Sequence, residues 1–372
     1  MRDLYAARAA RAFVAMQRDF HTRTGRYRRD GRLRMPGVSA HLWPFARALV
    51  ATLDLGGVGD GLVDGFDFES EIGDRLRALE RYWDPDRLPP AYSSDVRGSR
   101  VGGDRYYDDN AWVGLGLVQL ERMSPGTAYL DRAEELFFFS QTGWAEDATP
   151  YPGGVFWVEQ GRGRGLKNHD RNTVSTAPNA QLGLHVAELK RRSPGAADRV
   201  GVQAMYEWVL AALDLSQASE ASGTGLFWDK VRGDGTIDRA LWSYNQGSMV
   251  GLNVLLSRSR AEDPIDYLAR AEAIARKALR HFAGRYESQP PAFNAIFFRN
   301  LLLLHHATED ASLRGEIINA LTTYADRAWD EWRDRRDRFH CPNDGVTLLN
   351  QSAMVQVLAL LAWEPSRYAL LA

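Results

Sequence analysis

The connections between helices in this chain are lopsided, and that asymmetry limits the folds open to it. Helical periodicity runs from end to end, and no strand-like alternation persists. The pattern predicts helices near residues 3–21, 39–55, 68–82, 108–123, 127–141, 173–191, 196–216, 241–257, 265–283, 290–307, 310–333 and 346–362. Segments leaving the even-numbered helices are mostly short. Ser124-Pro125-Gly126 and Ser193-Pro194-Gly195 read as tight helix–helix turns, and Asp263-Pro264 starts another helix. Segments entering the even-numbered helices are mostly long and rich in Gly, Pro, Trp and Asp: 22–38, 83–107, 142–172 and 217–240. Short turns join antiparallel neighbours. With odd helices outside and even helices inside, the long loops all gather over the N-termini of the inner helices. The expected fold is therefore all-α, an (α/α)6 barrel of about twelve alternating outer and inner helices with a groove at one end. No linker or low-complexity segment interrupts the alternation, so one domain spanning 1–372 is expected.

A weak repeat fits this plan. Asn followed by Ala or Gln opens five even helices: Asn110-Ala111, Asn179-Ala180, Asn245-Gln246, Asn294-Ala295 and Asn350-Gln351. Asn is a poor helix-interior residue. Five at one depth would either ring the groove with donors and acceptors or satisfy backbone groups among crowded inner helices.

Composition excludes several functions. The formal net charge of −2 argues against a nucleic-acid partner. The Arg-rich stretch from Arg23 to Arg34 is the exception and reads as a solvated loop; Arg333 to Arg338 alternates sign like an exposed helix end. Cys341 is the only cysteine, so no internal disulfide forms, and no His spacing suits a metal; neither metal nor cofactor is expected. No segment is apolar enough to insert in a membrane, and Met1-Arg2-Asp3-Leu4 opens an amphipathic pattern and not a signal peptide. A cytoplasmic monomer is expected of the chain as it stands, and a secreted or periplasmic one if a leader is removed. Its Arg-, Ala- and Asp-rich composition is that of a high-GC bacterial source.

Asp108 and Asp109 carry the sharpest chemical signal. They lie in Tyr106-Tyr107-Asp108-Asp109-Asn110-Ala111-Trp112, where an aromatic-rich loop turns into a helix. Adjacent carboxylates repel, and aromatic neighbours add a desolvation penalty. Such a site can split two pKa values, leaving one group ionised and one protonated, as glycosidic-bond hydrolysis requires. A plain helix N-cap with favourable charge at the dipole also looks like this. Eleven tryptophans, many in Gly- or Pro-rich segments, favour a surface that grips something flat such as a pyranose ring.

Further segments converge on the same end. Loop 142–172 holds Trp144, then Gly153-Gly154-Val155-Phe156-Trp157, then Lys167-Asn168. Then come Gly225-Leu226-Phe227-Trp228-Asp229-Lys230 and Leu241-Trp242-Ser243-Tyr244-Asn245-Gln246-Gly247. The Tyr-Tyr-Asp-Asp-Asn-Ala-Trp, Gly-Gly-Val-Phe-Trp and Trp-Ser-Tyr-Asn-Gln-Gly runs, with Lys-Asn and Ser175-Thr176-Ala177-Pro178-Asn179-Ala180 between them, stand in the order seen in family 76 glycoside hydrolases. The chain resembles those endo-α-1,6-mannanases over roughly residues 40–360.

The resemblance implies a retaining double displacement on mannan or mannooligosaccharides, with Asp108 as nucleophile and Asp109 as general acid/base. Retaining chemistry needs carboxyl groups ~5–5.5 Å apart. Successive helical side chains diverge, so the pair should straddle the loop-to-helix junction. The helix N-terminus would then favour the ionised nucleophile. Tyr107 and Trp112 are candidates for apolar cover. Trp43, Trp157, Trp228 and Tyr244 are expected to stack on sugar, and Asn179, Asn245, Gln246 and Asp229 to read hydroxyls. Phe156 and Asn168 complete the expected contacts, and His41 lies near an inner-helix start. Phe156 stands where the family often has Trp, and His169-Asp170-Arg171 looks inserted, which puts the subsites in question more than the chemistry. A transglycosylase on α-mannosides would use the same pair. A mannan-binding protein without turnover would keep the groove. Sugar 2-epimerases share the barrel but rely on His residues across the inner-helix tops, and the paired Asp without a matching pair of inner-helix His counts against that reading.

Overall fold

A computed structural model describes residues 1–28, 39–59, 67–98, 103–126, 128–161, 167–190, 196–215, 225–259, 263–342 and 345–372. The Ser193-Pro194-Gly195 turn and the second half of the Arg23–Arg34 stretch lie outside these residues. Among the described residues there are twelve α-helices: α1 (Arg2–Phe20), α2 (Leu42–Gly56), α3 (Phe68–Leu79), α4 (Tyr107–Met123), α5 (Tyr129–Gln141), α6 (Thr173–Leu189), α7 (Ala196–Leu213), α8 (Ser243–Ser259), α9 (Tyr267–Phe282), α10 (Pro291–Ala307), α11 (Ala311–Arg327) and α12 (Leu348–Ala362).

The even helices form a closed ring. Helix α2 packs on α4, α4 on α6, α6 on α8, α8 on α10, α10 on α12, and α12 returns to α2. The odd helices lie outside this ring, α1 against α12 and α2, α9 against α8 and α10. The chain forms the expected (α/α)6 barrel. Sequence character follows position. All but one of the residues of α12 are buried, as suits a helix that is apolar on every side. Helix α9 buries only Tyr267, Ala271, Ile274, Ala275, Ala278, Leu279 and Phe282, one stripe at helical spacing. Its start is capped by Asp266, which accepts from the Ala269 N–H at 2.9 Å.

Two details depart from the sequence reading. The long loops carry short strands that periodicity does not reveal. β1 (Trp83–Asp84) pairs antiparallel with β2 (Ala91–Tyr92), and β3 (Arg171–Asn172), β4 (Lys230–Val231) and β5 (Ile237–Asp238) form a sheet with β4 central. Loops packed over a barrel end must satisfy their own backbone groups, and two-residue ladders do so. Arg333 to Arg338 is not a helix end. The Asp334 N–H donates to the Arg338 carbonyl at 2.9 Å, Arg333 bridges to Phe339, and Asp337 adopts φ 59°, closing a hairpin turn. The alternating charges pair across it, Arg338 with Asp334 and Arg333 with Asp337, each at 2.7 Å.

Candidate active site

Helix α4 begins at Tyr107, so Asp108 and Asp109 both lie in its first turn. The pair does not straddle the junction as expected: the two aspartates are the second and third residues of the helix. The helix start still serves the pair, because its first N–H groups lack intrahelical partners. The Asp108 carboxylate accepts the Asp109 N–H at Oδ1, 3.0 Å away. Its Oδ2 accepts the indole N–H of Trp157 at 3.2 Å. Both side chains are half-buried at the floor of a cavity of about 510 Å³. Burial is the largest influence on each and raises both above the usual carboxylate range. The two donated N–H groups restrain Asp108, which is pushed up to about 7. Asp109 rises further, since the charge of Asp108 adds to burial. The arrangement favours the proton on Asp109 and the charge on Asp108.

Trp157 is held over the pair by backbone pairing between two loops. The Tyr107 N–H donates to the Trp157 carbonyl at 3.0 Å, and the Glu159 N–H to the Arg105 carbonyl at 2.9 Å. Arg105 and Glu159 form a buried ion pair beneath this ladder, and Arg105 also donates to the carbonyls of Arg87 and Pro89. Gly153 and Gly154 explain themselves here. Their φ values are +102° and +79°, and a Cβ on Gly154 would lie 2.4 Å from the Trp208 ring. Only glycine lets this turn pass under that indole.

The facing wall is aromatic and acidic. Trp43 and Trp112 line the cavity with ring centroids 5.9 Å apart. The buried Arg47 guanidinium lies 5.6 Å and 5.9 Å from those same rings. Tyr244 stacks flat on Phe293, centroids 3.8 Å apart and planes 6° apart. Burial, then the charges of Asp229 and Asp108, hold the Tyr244 hydroxyl protonated. It is a donor within reach of their fields. Asp229 accepts from Asn245 Nδ2 at 3.2 Å, and burial raises its pKa as well. Lys230 lines the cavity beside it and pairs with Asp170 at 2.9 Å. Among the described residues, then, the site is a concave, ring-lined groove with carboxyls at its floor and no helix long and apolar enough to cross a membrane anywhere around it.

The model of glycosyl hydrolase family 76 matches residues 91–364. The chain belongs to family 76. Solved structures share the barrel. A family 76 glycoside hydrolase from a bovine Bacteroides thetaiotaomicron strain is similar at TM-score 0.79 and 19% identity, over 96% of this chain and 77% of that one. A family 76 mannosidase from Bacteroides thetaiotaomicron VPI-5482 is similar at TM-score 0.77 and 21% identity, over 96% and 98%. An inactive variant of an α-1,6-mannanase from Salegentibacter sp. HEL1_6, with two consecutive aspartates changed to asparagine and α-1,6-mannotriose bound, is similar at TM-score 0.73 and 18% identity, over 96% and 99%. No curated protein matches the chain.

Within this family 76 barrel the expected site residues divide. Asp108, Asp109, Trp43, Trp112, Trp157, Asp229 and Tyr244 meet at the cavity. Tyr107 does not. Its side chain is buried away from the pair, stacked on Phe139 at 4.6 Å with its hydroxyl 3.2 Å from Thr142 Oγ1. Successive helical side chains point apart, and here the aspartates take the cavity. Phe156 meets the His169 ring edge-on at 5.8 Å, outside the cavity lining. Asn168 accepts the Asp170 N–H at 2.8 Å and shapes its own loop. Trp228 lies under the Arg239 guanidinium, 5.2 Å from its ring, also off the cavity.

The Asn repeat serves the backbone. Asn110 accepts the Tyr92 N–H at 2.8 Å and donates to the Tyr92 carbonyl at 3.0 Å. Gln246 clasps Phe227 the same way, at 2.8 Å and 2.9 Å. Asn179 donates to the carbonyls of Tyr107 and Ser175, and Asn294 to that of Tyr286. These buried amides mimic a strand edge for the incoming loops. Asn245 alone among the chosen amides touches a cavity carboxylate. Sequence reasoning missed Ser94, Asp95, Asp104, Tyr106, Asn172, Val174, Lys230 and Phe293, which also line the groove, and left His41 unassigned. His41 Nδ1 lies 2.7 Å from Asp95 Oδ1. The adjacency of Lys230 to Asp229 and of Tyr106 to the Asp pair was a usable signal; the others come together only through the ring of helices.

Proposed function

We propose that this chain is a retaining, endo-acting α-1,6-mannan hydrolase in which Asp108 is the nucleophile and Asp109 the general acid/base. One observation carries the reading: adjacent carboxyls at the floor of an aromatic groove, one supplied with two N–H donors and the other burdened by its neighbour's charge. The changed aspartates of the Salegentibacter mannanase are likewise consecutive, and its ligand is an α-1,6-mannooligosaccharide.

The steps follow from the groups present. Asp109 gives its proton to the glycosidic oxygen as the bond breaks. Asp108 Oδ attacks the anomeric carbon and forms a glycosyl ester. Asp109, now ionised, takes a proton from water, which attacks the same carbon and frees Asp108. Trp43, Trp112 and Trp157 suit the apolar faces of mannose rings, and Tyr244 and Asp229 suit its hydroxyls. The test is product analysis on linear α-1,6-mannooligosaccharides by chromatography and proton NMR, with Asp108→Asn in parallel. Internal cleavage that first releases the α-anomer, absent in the variant, is expected. Full activity in Asp108→Asn, or first release of the β-anomer, sinks the assignment.

A further inference from the structure

The Arg-rich turn after α1 has no part in the groove, yet it is built into a second cavity. Arg23 and Arg26 on that turn face Arg77 and Arg81 on α3 and the turn that follows it, around a space of about 470 Å³. His21, Thr24, Gly25, Asp74 and Ala78 complete its lining. Arg77 and Arg81 are four residues apart, so they share a helix face. Like charges so placed repel unless an anion sits between them. Among the described residues Asp74 is the one carboxylate in the lining, and it is already paired with Arg77.

The turn that carries Arg23 and Arg26 is held in place. The turn closes through Thr22 N–H to the Arg26 carbonyl at 2.8 Å and Gly25 N–H to the Thr22 carbonyl at 3.1 Å. Gly25, at φ +74°, packs so close to α3 that a Cβ would lie 3.3 Å from the Asp74 carbonyl. Arg26 Nε donates to Thr24 Oγ1 at 3.1 Å. Behind the wall lies the buried Arg75, its guanidinium 5.0 Å from the Tyr27 ring, its Nη1 3.4 Å from His21 Nε2 and its Nε without a partner. His21 stays uncharged at neutral pH and adds no further positive charge, and among the described residues of the lining Asp74 alone offsets the guanidinium charge.

Hydrogen bonds link the segments that line the two cavities. The Ala40 N–H donates to the Tyr27 carbonyl at 2.7 Å, and the Tyr82 hydroxyl donates to the Ala40 carbonyl at 2.6 Å. Each of these three residues is next in sequence to a lining residue: Tyr27 to Arg26, Tyr82 to Arg81, and Ala40 to His41 of the groove. We propose that the arginine pocket binds a phosphate ester carried on the glycan whose neutral chain lies in the groove. The proposal rests on the mannan-hydrolase reading for that chain. Guanidinium forks match phosphate oxygens two at a time. A nucleic-acid strand fits less well. It needs an extended basic stripe with rings for base stacking, and this pocket is a single recess with no Phe, Tyr or Trp in its lining.

The test compares α-1,6-mannotriose with the same trisaccharide bearing a 6-phosphate on its non-reducing mannose, using the full chain and its Arg77→Gln/Arg81→Gln variant. For the wild type at low salt, a KM about tenfold lower for the phosphorylated sugar is expected. The variant should lose that advantage while hydrolysing the neutral sugar as before, which also shows that it folds. Equal KM values for the two sugars in the wild type overturn the proposal. If neither sugar is cleaved, the hydrolase reading fails separately, and calorimetry with mannose 6-phosphate and with inorganic phosphate decides the pocket. Tighter binding of the sugar phosphate, lost in the variant, upholds it. Equal binding of both probes, or binding of neither, overturns it.

Discussion

Asp54 and Asp109 both sit on inner helices of one barrel, and they are treated in opposite ways. Asp54, on α2, is fully buried. It is paired with Arg299, and it accepts from Gln119 Nε2 at 2.9 Å. Arg299 also donates to Gln119, and the Trp363 indole donates to the Asp54 carbonyl at 2.7 Å. Asp54 and Arg299 each meet an opposite charge. Asp109, on α4, has the charge of Asp108 beside it. A buried charge that is matched fixes the packing of helices; one that is mismatched stores reactivity. The comparison predicts that substitutions at the two places separate activity from stability.

The largest effect belongs to Asp109→Asn. It removes the transferable proton and leaves the shape. We expect kcat on α-1,6-mannotetraose to fall by roughly a thousandfold or more. Thermal unfolding should move the other way, upward by about 1–3 °C, because Asn removes the cost of keeping a proton on a carboxyl that ionises in the unfolded chain. A variant that loses activity and also unfolds earlier would break the contrast.

Asp54→Asn is the mirror case. It strands Arg299 in the barrel, which costs about 3–5 kcal/mol of stability. Urea unfolding reads that loss, while turnover per folded molecule should stay within about twofold of wild type. A large kcat loss in the well-folded fraction would mean that the two regions are coupled.

The pH response sharpens the contrast further. Asp108 is raised to about 7 and Asp109 beyond the ordinary range, both by burial first. The proposed mechanism needs Asp108 ionised and Asp109 protonated, so kcat/KM should rise with pH toward neutrality and fall again above it. For stability, the folded state holds these protons more tightly than the unfolded chain does. Their contribution is therefore fully present below the unfolded carboxyl pKa of about 4 and is lost as pH rises through the folded value. The wild type should lose stability relative to Asp108→Asn between about pH 4 and pH 7, measured by urea unfolding at each pH. A constant difference across that window would remove the raised carboxyl from the account.

The barrel was legible because its signals are local. Short turns against long loops, and stripes of period 3.6, mark inner and outer helices before any contact is known. The Asp pair was legible for the same reason: one heptapeptide holds both carboxyls and the helix start. The rest of the groove was not. His41, Asp95, Asn172 and Phe293 come from four separate segments, and only ring closure brings them to one cavity. The amide repeat was visible, but its direction was not. Asn110 and Gln246 clasp Tyr92 and Phe227, partners 18 and 19 residues away, and no spacing rule announces such pairing. Tyr107 misled for a simpler reason. It neighbours the aspartate pair in sequence, and helical geometry turns it the other way.

The smallest predicted effect tests what the donors at Asp108 do. Trp157 Nε1 donates to its Oδ2 at 3.2 Å, and a hydrogen bond to the charged form favours that form. Trp157→Phe keeps a ring in the groove and removes the donor. The acidic limb of kcat/KM should shift upward by up to about one pH unit, since a bond to a charged group is worth about 1–2 kcal/mol here. Above that limb the rate should approach wild type. Trp112→Phe is the control: its ring lines the same cavity, and among the described residues Asp108 has only the Trp157 indole as a side-chain donor. If both variants leave the limb in place, the indole acts as a sugar platform alone. If only Trp157→Phe moves it, donors of one kind have different consequences at the two aspartates. At Asp54 they complete a balanced charge, and their loss loosens the barrel. At Asp108 they offset part of an imbalance, and their loss retunes the chemistry.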